Sequence, residues 1–149
     1  MAESIVLKVA AKAVITDGEG RILLVREAST YDEGTNIGRY NIPGGRLNPG
    51  ESYEKGLHRE IKEELGLEVD CLYPLHIGEW RPVIKDVPHQ IIGIFSVCKA
   101  KNKKINLSKE HDNYLWVDPK IAAKIDIMYP DSEVVKIFFK RQNTGRPSQ

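Results

Sequence analysis

A run from Gly44 to Leu67 constrains the fold of this chain more than any other stretch. It begins as a loop rich in glycine and proline, Gly44-Gly45-Arg46-Leu47-Asn48-Pro49-Gly50-Glu51. From Ser52 it continues as a helical pattern with glutamates at positions 54, 60, 63 and 64, and Gly66 supplies a helix stop signal. The loop therefore leads directly into an acidic helix, and the rest of the chain has to support both.

The acidic residues of this helix border its apolar face. On a wheel of about 100° per residue, Glu60, Glu63 and Glu64 share one arc, and Glu64 falls within the edge of the apolar stripe. That stripe consists of Tyr53, Leu57, Ile61 and Leu65. Three carboxylates at the margin of a core repel one another and lose hydration. Hard divalent cations relieve that cost, and oxygen ligands of this kind suit Mg²⁺ or Mn²⁺.

A solvated acidic face is the ordinary alternative for such a charge run. It accounts poorly for the overlap of acidic and apolar positions. The Gly44-Gly45 pair permits close approach of the backbone to a ligand and leaves carbonyl oxygens accessible to a metal ion. Arg59 lies four residues before Glu63, where the two side chains can pair. We therefore interpret the run as a site for a metal ion.

Composition sets the class of protein. The 149 residues predict one domain over 1–149, with a short polar tail at 142–149 that we expect to be frayed. Hydrophobic residues make up 41% and charged residues 29%, as in soluble globular proteins. The net charge of +1 gives no bulk-charge footprint for nucleic acid or membrane. No apolar run approaches the roughly 20 residues of a membrane span.

The two cysteines and the first residues predict a cytoplasmic location. Cys71 and Cys98 are far apart in the sequence and lack metal-type spacing, so we expect reduced, buried thiols on strands. Met1-Ala2-Glu3-Ser4 has no basic stretch followed by an apolar core, and we therefore expect no signal peptide.

The remaining pattern predicts strands around the acidic helix and helices at the end. Five segments are β-rich: Val6 to Thr16, Arg21 to Arg26, Leu67 to Trp80 with a break near Pro74, His89 to Ala100, and Tyr114 to Val117. The first two form a hairpin about Asp17-Gly18-Glu19-Gly20. A short extended piece, Tyr40 to Pro43, leads into the glycines.

Loops and helices complete the order of elements. Ala28 to Tyr40 is a long polar loop, Arg81 to Pro88 a loop with a proline near each end, and Lys101 to Lys109 a basic connection. Helices are predicted after Asp118, with Pro119 at the first position, and after Pro130-Asp131-Ser132. Strands, one helix, more strands and then helices indicate an α+β or α/β/α layered domain.

The central run resembles a known family motif. Gly45, five residues, Glu51, seven residues and then Arg59-Glu60-Ile61-Lys62-Glu63-Glu64-Leu65-Gly66-Leu67 resembles the Nudix box in full. The resemblance implies an α/β/α sandwich with a mixed sheet. It also implies an enzyme that hydrolyses a nucleoside diphosphate linked to another moiety, using Mg²⁺ or Mn²⁺, with a small nucleotide as substrate and a homodimer as an assembly found among relatives.

The same resemblance implies roles for individual residues. Glu60, Glu63 and Glu64 are similar to the metal-binding carboxylates, and the Gly44 carbonyl to a backbone ligand. Glu51 and Arg59 resemble the pair that braces the loop against the helix. Family members take the general base either from the box or from a later loop, so Glu60 and Glu110 both stay candidates here. His111, beside Glu110, is interpreted as structural or as a loop contact.

Substrate-side residues are predicted less specifically. Arg26 resembles a position that often faces substrate phosphates, with a surface arginine as the alternative. Tyr40 stands where relatives often have tryptophan, and Trp80 is a candidate for base stacking, with core packing as the alternative for both. Gly45 is placed against the substrate. Pro82 is similar to a proline of ADP-ribose pyrophosphatases, although the compact length resembles MutT-like enzymes.

Three functions follow from these residues. The first is pyrophosphohydrolysis of a nucleoside triphosphate, as in MutT-like enzymes. The second takes ADP-ribose or a dinucleoside polyphosphate as substrate. The third is a non-catalytic domain that binds a nucleotide or a protein, and the intact set of carboxylates argues against it.

Overall fold

A computed structural model describes residues 4–143, which form eight strands and three helices. The strands are β1 (Val6–Thr16), β2 (Ile22–Glu27), β3 (Tyr40–Asn41), β4 (Gly44–Arg46), β5 (Val69–Trp80), β6 (Val83–Ile84), β7 (Val87–Ala100) and β8 (His111–Val117). The helices are α1 (Tyr53–Leu65), α2 (Pro119–Ala122) and α3 (Asp131–Asn143). None of the helices in this part of the chain is long and apolar enough to cross a membrane.

The strands form one mixed sheet in the order β3-β2-β1-β7-β5. β1 and β7 run parallel, from Val6 opposite His89 to Thr16 opposite Lys99. The pairs that β2 makes with β1, β3 and β8 are antiparallel, as is the pairing of β5 with β7. β4 pairs antiparallel with β1 through residues 10–12. β1, the central strand, therefore pairs with β4 along one edge and with β7 along the other.

Both faces of the sheet are buried because side chains alternate along β1 and β2. Ala13, Ile15, Leu23 and Val25 join one core, which is covered by Leu57, Ile61 and Leu65 of α1. Val14, Ile22 and Leu24 join the opposite core, which is covered by Val134, Val135, Phe138 and Phe139 of α3. A sheet between two helical layers confirms the predicted α/β/α arrangement.

Two segments predicted as irregular are strands. Gly44–Arg46, interpreted as loop, pairs with β1 as β4. The Arg81 to Pro88 loop contains the β6–β7 hairpin, in which Val83 pairs with Pro88 and Ile84 with Val87. Lys85 and Asp86 turn the hairpin at φ values of 48° and 65°. Such turns favour Asn-Gly, so this Lys-Asp pair carried little sequence signal.

Several predicted boundaries also move. β5 continues through Pro74, and the predicted break is instead a pair of register shifts at Cys71/Tyr73 and Pro74/His76. β8 begins at His111 rather than Tyr114. Gln142 and Asn143 belong to α3, whereas the rest of the predicted tail lies outside the described residues.

The cysteines are both on strands and both free, as predicted. Cys98 is buried, as predicted, but Cys71 is partly exposed, so the prediction of burial is wrong for Cys71. Although distant in sequence, they are opposite one another in the register of β5 and β7.

Candidate active site

Helix α1 is held at both ends by caps. The Ser52 hydroxyl accepts the Lys55 N–H at 3.2 Å, and the Gly66 N–H donates to the Lys62 carbonyl at 2.9 Å. Because Leu57, Ile61 and Leu65 fix the rotation of the helix on the sheet, Glu64 is carried into the protein and is only 4% exposed. The wheel placed Glu64 at this edge of the apolar stripe.

The two glycines bring the loop backbone against these carboxylates. The Gly44 N–H donates to Glu64 Oε2 at 2.8 Å. Gly44 has a φ of 137°, and a Cβ there would lie 2.1 Å from the Ala11 carbonyl oxygen. A Cβ on Gly45 would lie 2.4 Å from Glu60 Oε2. Gly44 therefore requires glycine for the loop to reach the helix, whereas a side chain at Gly45 would displace the Glu60 carboxylate.

Arg59 joins the loop to the acidic face of α1. Its Nε donates to Glu51 Oε2 at 2.5 Å and its Nη2 to Glu51 Oε1 at 2.8 Å, a bidentate pair. Its Nη1 donates to Glu60 at 3.0 Å and to Glu63 at 3.1 Å, and its Nη2 to the Arg46 carbonyl at 3.3 Å. The hydrogen bonds from Arg59 lower the pKa of Glu51 to about 2. The geometry agrees with the predicted brace of loop and helix.

Three carboxylates of the site resist ionisation. Burial raises the pKa of Glu64 well above its usual value, opposed by Lys12. Burial also raises the pKa of Glu60, opposed by the hydrogen bond from Arg59. In Glu110 burial raises the pKa first, and the charge of Glu60 adds to it. Such a set fits a divalent cation, because the charge of the ion offsets both the lost hydration and the mutual repulsion.

These groups open into a cleft of about 460 Å³. Its floor is β1, through Lys8, Ala10 and Lys12. We call the β4 edge the acidic side, lined by Gly44, Gly45, Glu60, Glu64, Glu110 and His111. We call the β7 edge the aromatic side, lined by Trp80, Pro82, Ile84 and Ile91. Met128, whose N–H donates to the Tyr40 carbonyl, completes the apolar lining from the segment before α3.

Lys12 lies between the two sides. Its Nζ is 3.5 Å from Asp131 Oδ2 and 5.9 Å from the centre of the Trp80 ring. Asp131 is fully buried, and Oδ2 also accepts the Ile42 N–H at 2.7 Å. The pair therefore ties the start of α3 to the cleft floor. Sequence reasoning missed it, although a lysine within the apolar run of β1 was a usable signal.

A second acidic group lies beside α1 on the acidic side of the cleft. Glu110 and His111 lie where β8 begins, and one ligand atom each from Glu64, Glu110 and His111 fall within 4.8 Å of one another. Burial lowers the pKa of His111 to about 4, with Lys12 adding to the effect. The structure thus brings Glu110 close to Glu64 of α1 and places His111 with it.

Of the residues predicted to face the substrate, Trp80 lies in the cleft lining, whereas Arg26 and Tyr40 lie outside it. Trp80 lines the cleft and packs on Phe95 at 6.5 Å between ring centres. Arg26 Nε donates to Asp112 at 2.7 Å, and the Tyr40 hydroxyl accepts from Asn113 at 2.8 Å. Within the described residues, the cleft lining does not include four predicted site residues, which are Arg26, Tyr40, Arg59 and Glu63.

Residues from the long polar loop also line the cleft, and none of them was predicted individually. Tyr31, Glu33, Thr35 and Asn36 contribute, and Glu33 is paired with Arg46 at 3.1 Å. These positions carry no motif or periodicity, so only the length and polarity of the loop indicated a functional segment.

Comparison with known proteins connects this geometry to a family. A family model described as NUDIX domain matches residues 6–138. A nucleoside triphosphatase NudI from Escherichia fergusonii is 30% identical over 121 residues, covering 76% of this chain and 84% of that protein. NudI from Klebsiella pneumoniae strain 342 is 31% identical over 124 residues, with the same coverage.

Solved structures show the same fold. The MutT protein from Methanosarcina mazei Go1 superposes with a TM-score of 0.82 at 24% identity, covering 95% of this chain and 99% of that chain. An ADP-ribose pyrophosphatase from Streptococcus suis gives a TM-score of 0.67 at 19% identity, covering 95% and 94%.

Proposed function

This chain belongs to the Nudix hydrolase family, and we propose from that premise that it releases pyrophosphate from a nucleoside triphosphate. As a Nudix hydrolase it cleaves phosphoanhydride bonds in nucleoside diphosphate derivatives. The choice of a triphosphate is supported by the NudI relatives, which are described as nucleoside triphosphatases. The alternative of a non-catalytic binding domain is not retained, because the family assignment is to hydrolases.

The observation that carries the proposal is the two-sided cleft. Its volume of about 460 Å³ lies within the range of small-molecule sites. The acidic side presents Glu60, Glu64 and Glu110, which suit a cation and a phosphate chain. The aromatic side presents Trp80 among apolar residues, which suits the face of a nucleobase. A nucleotide likewise has a charged phosphate chain at one end and an aromatic base at the other.

The residues proposed to hold the cation are Glu60, Glu63 and Glu64, with the Gly44 carbonyl as a backbone ligand. We propose Mg²⁺ as the usual ion, with Mn²⁺ as its substitute. When bound, such an ion neutralises phosphate oxygens and lowers the pKa of an attacking water. The exposed position of Glu63, with 61% of its side chain accessible, makes it the outermost member of the set.

The protein itself contributes positioning and charge. Arg59 holds Glu60 and Glu63, and the Gly44 N–H holds Glu64, so that the carboxylates keep their places when the substrate is absent. Lys8 and Arg46 line the same cleft and supply positive charge for the phosphate chain. Preorganised charge of this kind provides much of the acceleration in phosphoryl transfer.

Two carboxylates are candidates for the general base. Glu60 is held by Arg59, and its pKa is raised by burial. Glu110 has a pKa that burial and the Glu60 charge raise. A base and a ligand respond differently to substitution, because replacing a base lowers kcat and leaves metal affinity unchanged. Glu60→Gln and Glu110→Gln, compared in kcat and in metal affinity, identify the base.

A panel of substrates tests the proposed function. Purified protein with Mg²⁺ is given the ribo- and deoxyribonucleoside triphosphates, ADP-ribose and a dinucleoside polyphosphate, and kcat/KM is measured for each. We expect a triphosphate to rank first and Glu63→Gln to lose most of that activity. ADP-ribose is included because Pro82, the proline similar to that subfamily, lines the cleft beside Trp80. No turnover of any member would overturn the proposal.

A further inference from the structure

Three side chains from two separate elements converge beside Gly44. Glu64 comes from α1, whereas Glu110 and His111 come from the start of β8. One ligand atom of each lies within 4.8 Å of the other two, and among residues 4–143 this is the one such group of His, Cys, Asp and Glu. Two ligands on opposite sides of an ion at about 2.1 Å are about 4.2 Å apart, so only a small contraction is needed.

The imidazole of His111 gives independent support for a ligand at this place. The residue is only 9% exposed, and it lines the cleft. Its Nδ1 is fully buried and has no hydrogen-bond partner among the described residues. A buried polar atom without a partner is costly and rare in folded proteins. A cation held among the three side chains would satisfy this atom.

The charges around the ring also favour a cation. Glu64 and Glu110 both face it, and Glu64 keeps Oε1 available because the Gly44 N–H binds Oε2. Lys12 is the nearby positive charge on the cleft floor, and Asp131 compensates it at 3.5 Å. Arg46 is the positive charge that acts on Glu110, and it is paired with Glu33 at 3.1 Å. Both nearby positive charges are therefore already shared with other carboxylates.

We propose that His111 is a nitrogen ligand of a divalent cation, held together with Glu64 and Glu110. The site is then mixed in nitrogen and oxygen, unlike the all-oxygen set of Glu60, Glu63 and Glu64. Nitrogen ligands raise affinity for first-row transition ions such as Co²⁺ relative to Mg²⁺. The inference deepens the proposed function, on which it rests for the role of the ion in hydrolysis.

The proposed ligand role of Glu110 bears on the general base. If Glu110 holds the ion, Glu110→Gln lowers metal affinity as well as kcat. This outcome differs from that of a simple base substitution, which leaves the affinity unchanged.

The direct test is pulsed EPR of Mn²⁺ bound to the protein without nucleotide. We expect ¹⁴N modulation from a coordinated imidazole in the wild-type protein and its loss in His111→Gln. His89→Gln is the control, since His89 lies outside the cleft lining and its Nδ1 contacts the Val87 carbonyl. Absence of the nitrogen signal in the wild type would overturn the proposal, and this measurement needs no variant to fold.

Metal affinity provides the second measurement. Calorimetric titration of His111→Gln with Co²⁺ should show at least about tenfold weaker binding, the lower end of the loss seen even for outer-shell partners. Mg²⁺ affinity should change far less, because glutamine substitutes an oxygen for the nitrogen. Equal losses for both ions, or none for either, would contradict a nitrogen ligand. Both experiments omit nucleotide, so a failure of the proposed activity would not decide them.

Discussion

The two sides of the cleft are built in opposite ways. The acidic side comes mostly from one continuous run, Gly44 to Glu64, in which the loop and the helix are joined by Arg59. The aromatic side is assembled from β5, the β6–β7 hairpin and the segment before α3, which contribute Trp80, Ile84 and Met128. The carboxylates proposed to act in hydrolysis therefore come mostly from one local stretch of sequence. The surface proposed to bind the nucleobase comes from distant segments that only the folded sheet brings together.

The two sides also differ in how they affect stability. Glu64, Glu60 and Glu110 have pKa values raised by burial, so ionisation of the acidic side is unfavourable without a neighbouring positive charge. The aromatic side buries apolar surface, and Trp80 packs on Phe95 and under Lys12. Neutral substitutions of carboxylates on the acidic side should thus lower activity and raise the stability of the metal-free protein. Substitutions on the aromatic side should weaken substrate binding.

The largest effect should come from Glu64→Gln. Glutamine can still accept the Gly44 N–H, so the substitution removes the charge and retains the hydrogen bond. We expect kcat to fall by at least about 10³-fold, because several kcal/mol of charge stabilisation are lost. In metal-free buffer the melting temperature should rise, since an amide replaces a desolvated carboxylate. A variant that keeps activity, or that loses stability without metal, would contradict the claim that the acidic side carries a charge that activity requires and that destabilises the metal-free protein.

The next largest effect should come from Lys12→Met, which removes the cation between the two sides. Asp131 is then left buried without its partner, and such losses cost about 3–5 kcal/mol. Urea denaturation measures the change. The double variant Lys12→Met/Asp131→Asn is the matched control, because asparagine can still accept the Ile42 N–H. If the double variant is no more stable than the single one, the pair does not anchor α3.

Trp80→Ala should have a smaller effect on activity, expressed in substrate binding, together with some loss of stability because the ring packs on Phe95. Stacking of a base on an aromatic ring contributes about 1–3 kcal/mol, so KM should rise about 5- to 100-fold while kcat stays near the wild-type value. Trp80→Phe retains an aromatic face and should lie between the two. A fall in kcat with unchanged KM would mean that Trp80 acts in the hydrolytic step, which would contradict a role of the aromatic side in binding alone.

The smallest effect should come from Glu51→Gln, and it should depend on pH. Arg59 lowers the pKa of Glu51 from 4.5 to about 2, so between these values the unfolded chain binds more protons than the folded protein. The stabilisation is fully present above about pH 4.5 and is lost as the pH falls toward 2. Denaturation of both proteins at pH 7, 4.5 and 3 should show a difference that shrinks with acidification. A constant difference would exclude the ionised pair as its source.

Sequence reasoning reached the acidic side because its signals are periodic and local. The wheel placed Glu64 at the edge of the core, and the structure buries it. The layered arrangement was predicted from the order of strands and helices. The β6–β7 hairpin was missed because Lys85 and Asp86 take positive φ without glycine or asparagine.

The aromatic side could not be derived in the same way. Met128 and Trp80 are 48 positions apart, and no periodicity links them. The partnership of Lys12 with Asp131 spans most of the chain and depends on where α3 packs. The substrate roles predicted for Arg26 and Tyr40 stay predictions, since each has a hydrogen-bond partner beside β8.

The most direct test of the account is the identity of the products. A nucleoside triphosphate is incubated with the wild-type protein and Mg²⁺, and the reaction is followed by ³¹P NMR. We predict pyrophosphate and nucleoside monophosphate in equal amounts, with neither formed by Glu64→Gln. Orthophosphate with nucleoside diphosphate, or turnover that survives in Glu64→Gln, would contradict the claim that the acidic side performs pyrophosphohydrolysis.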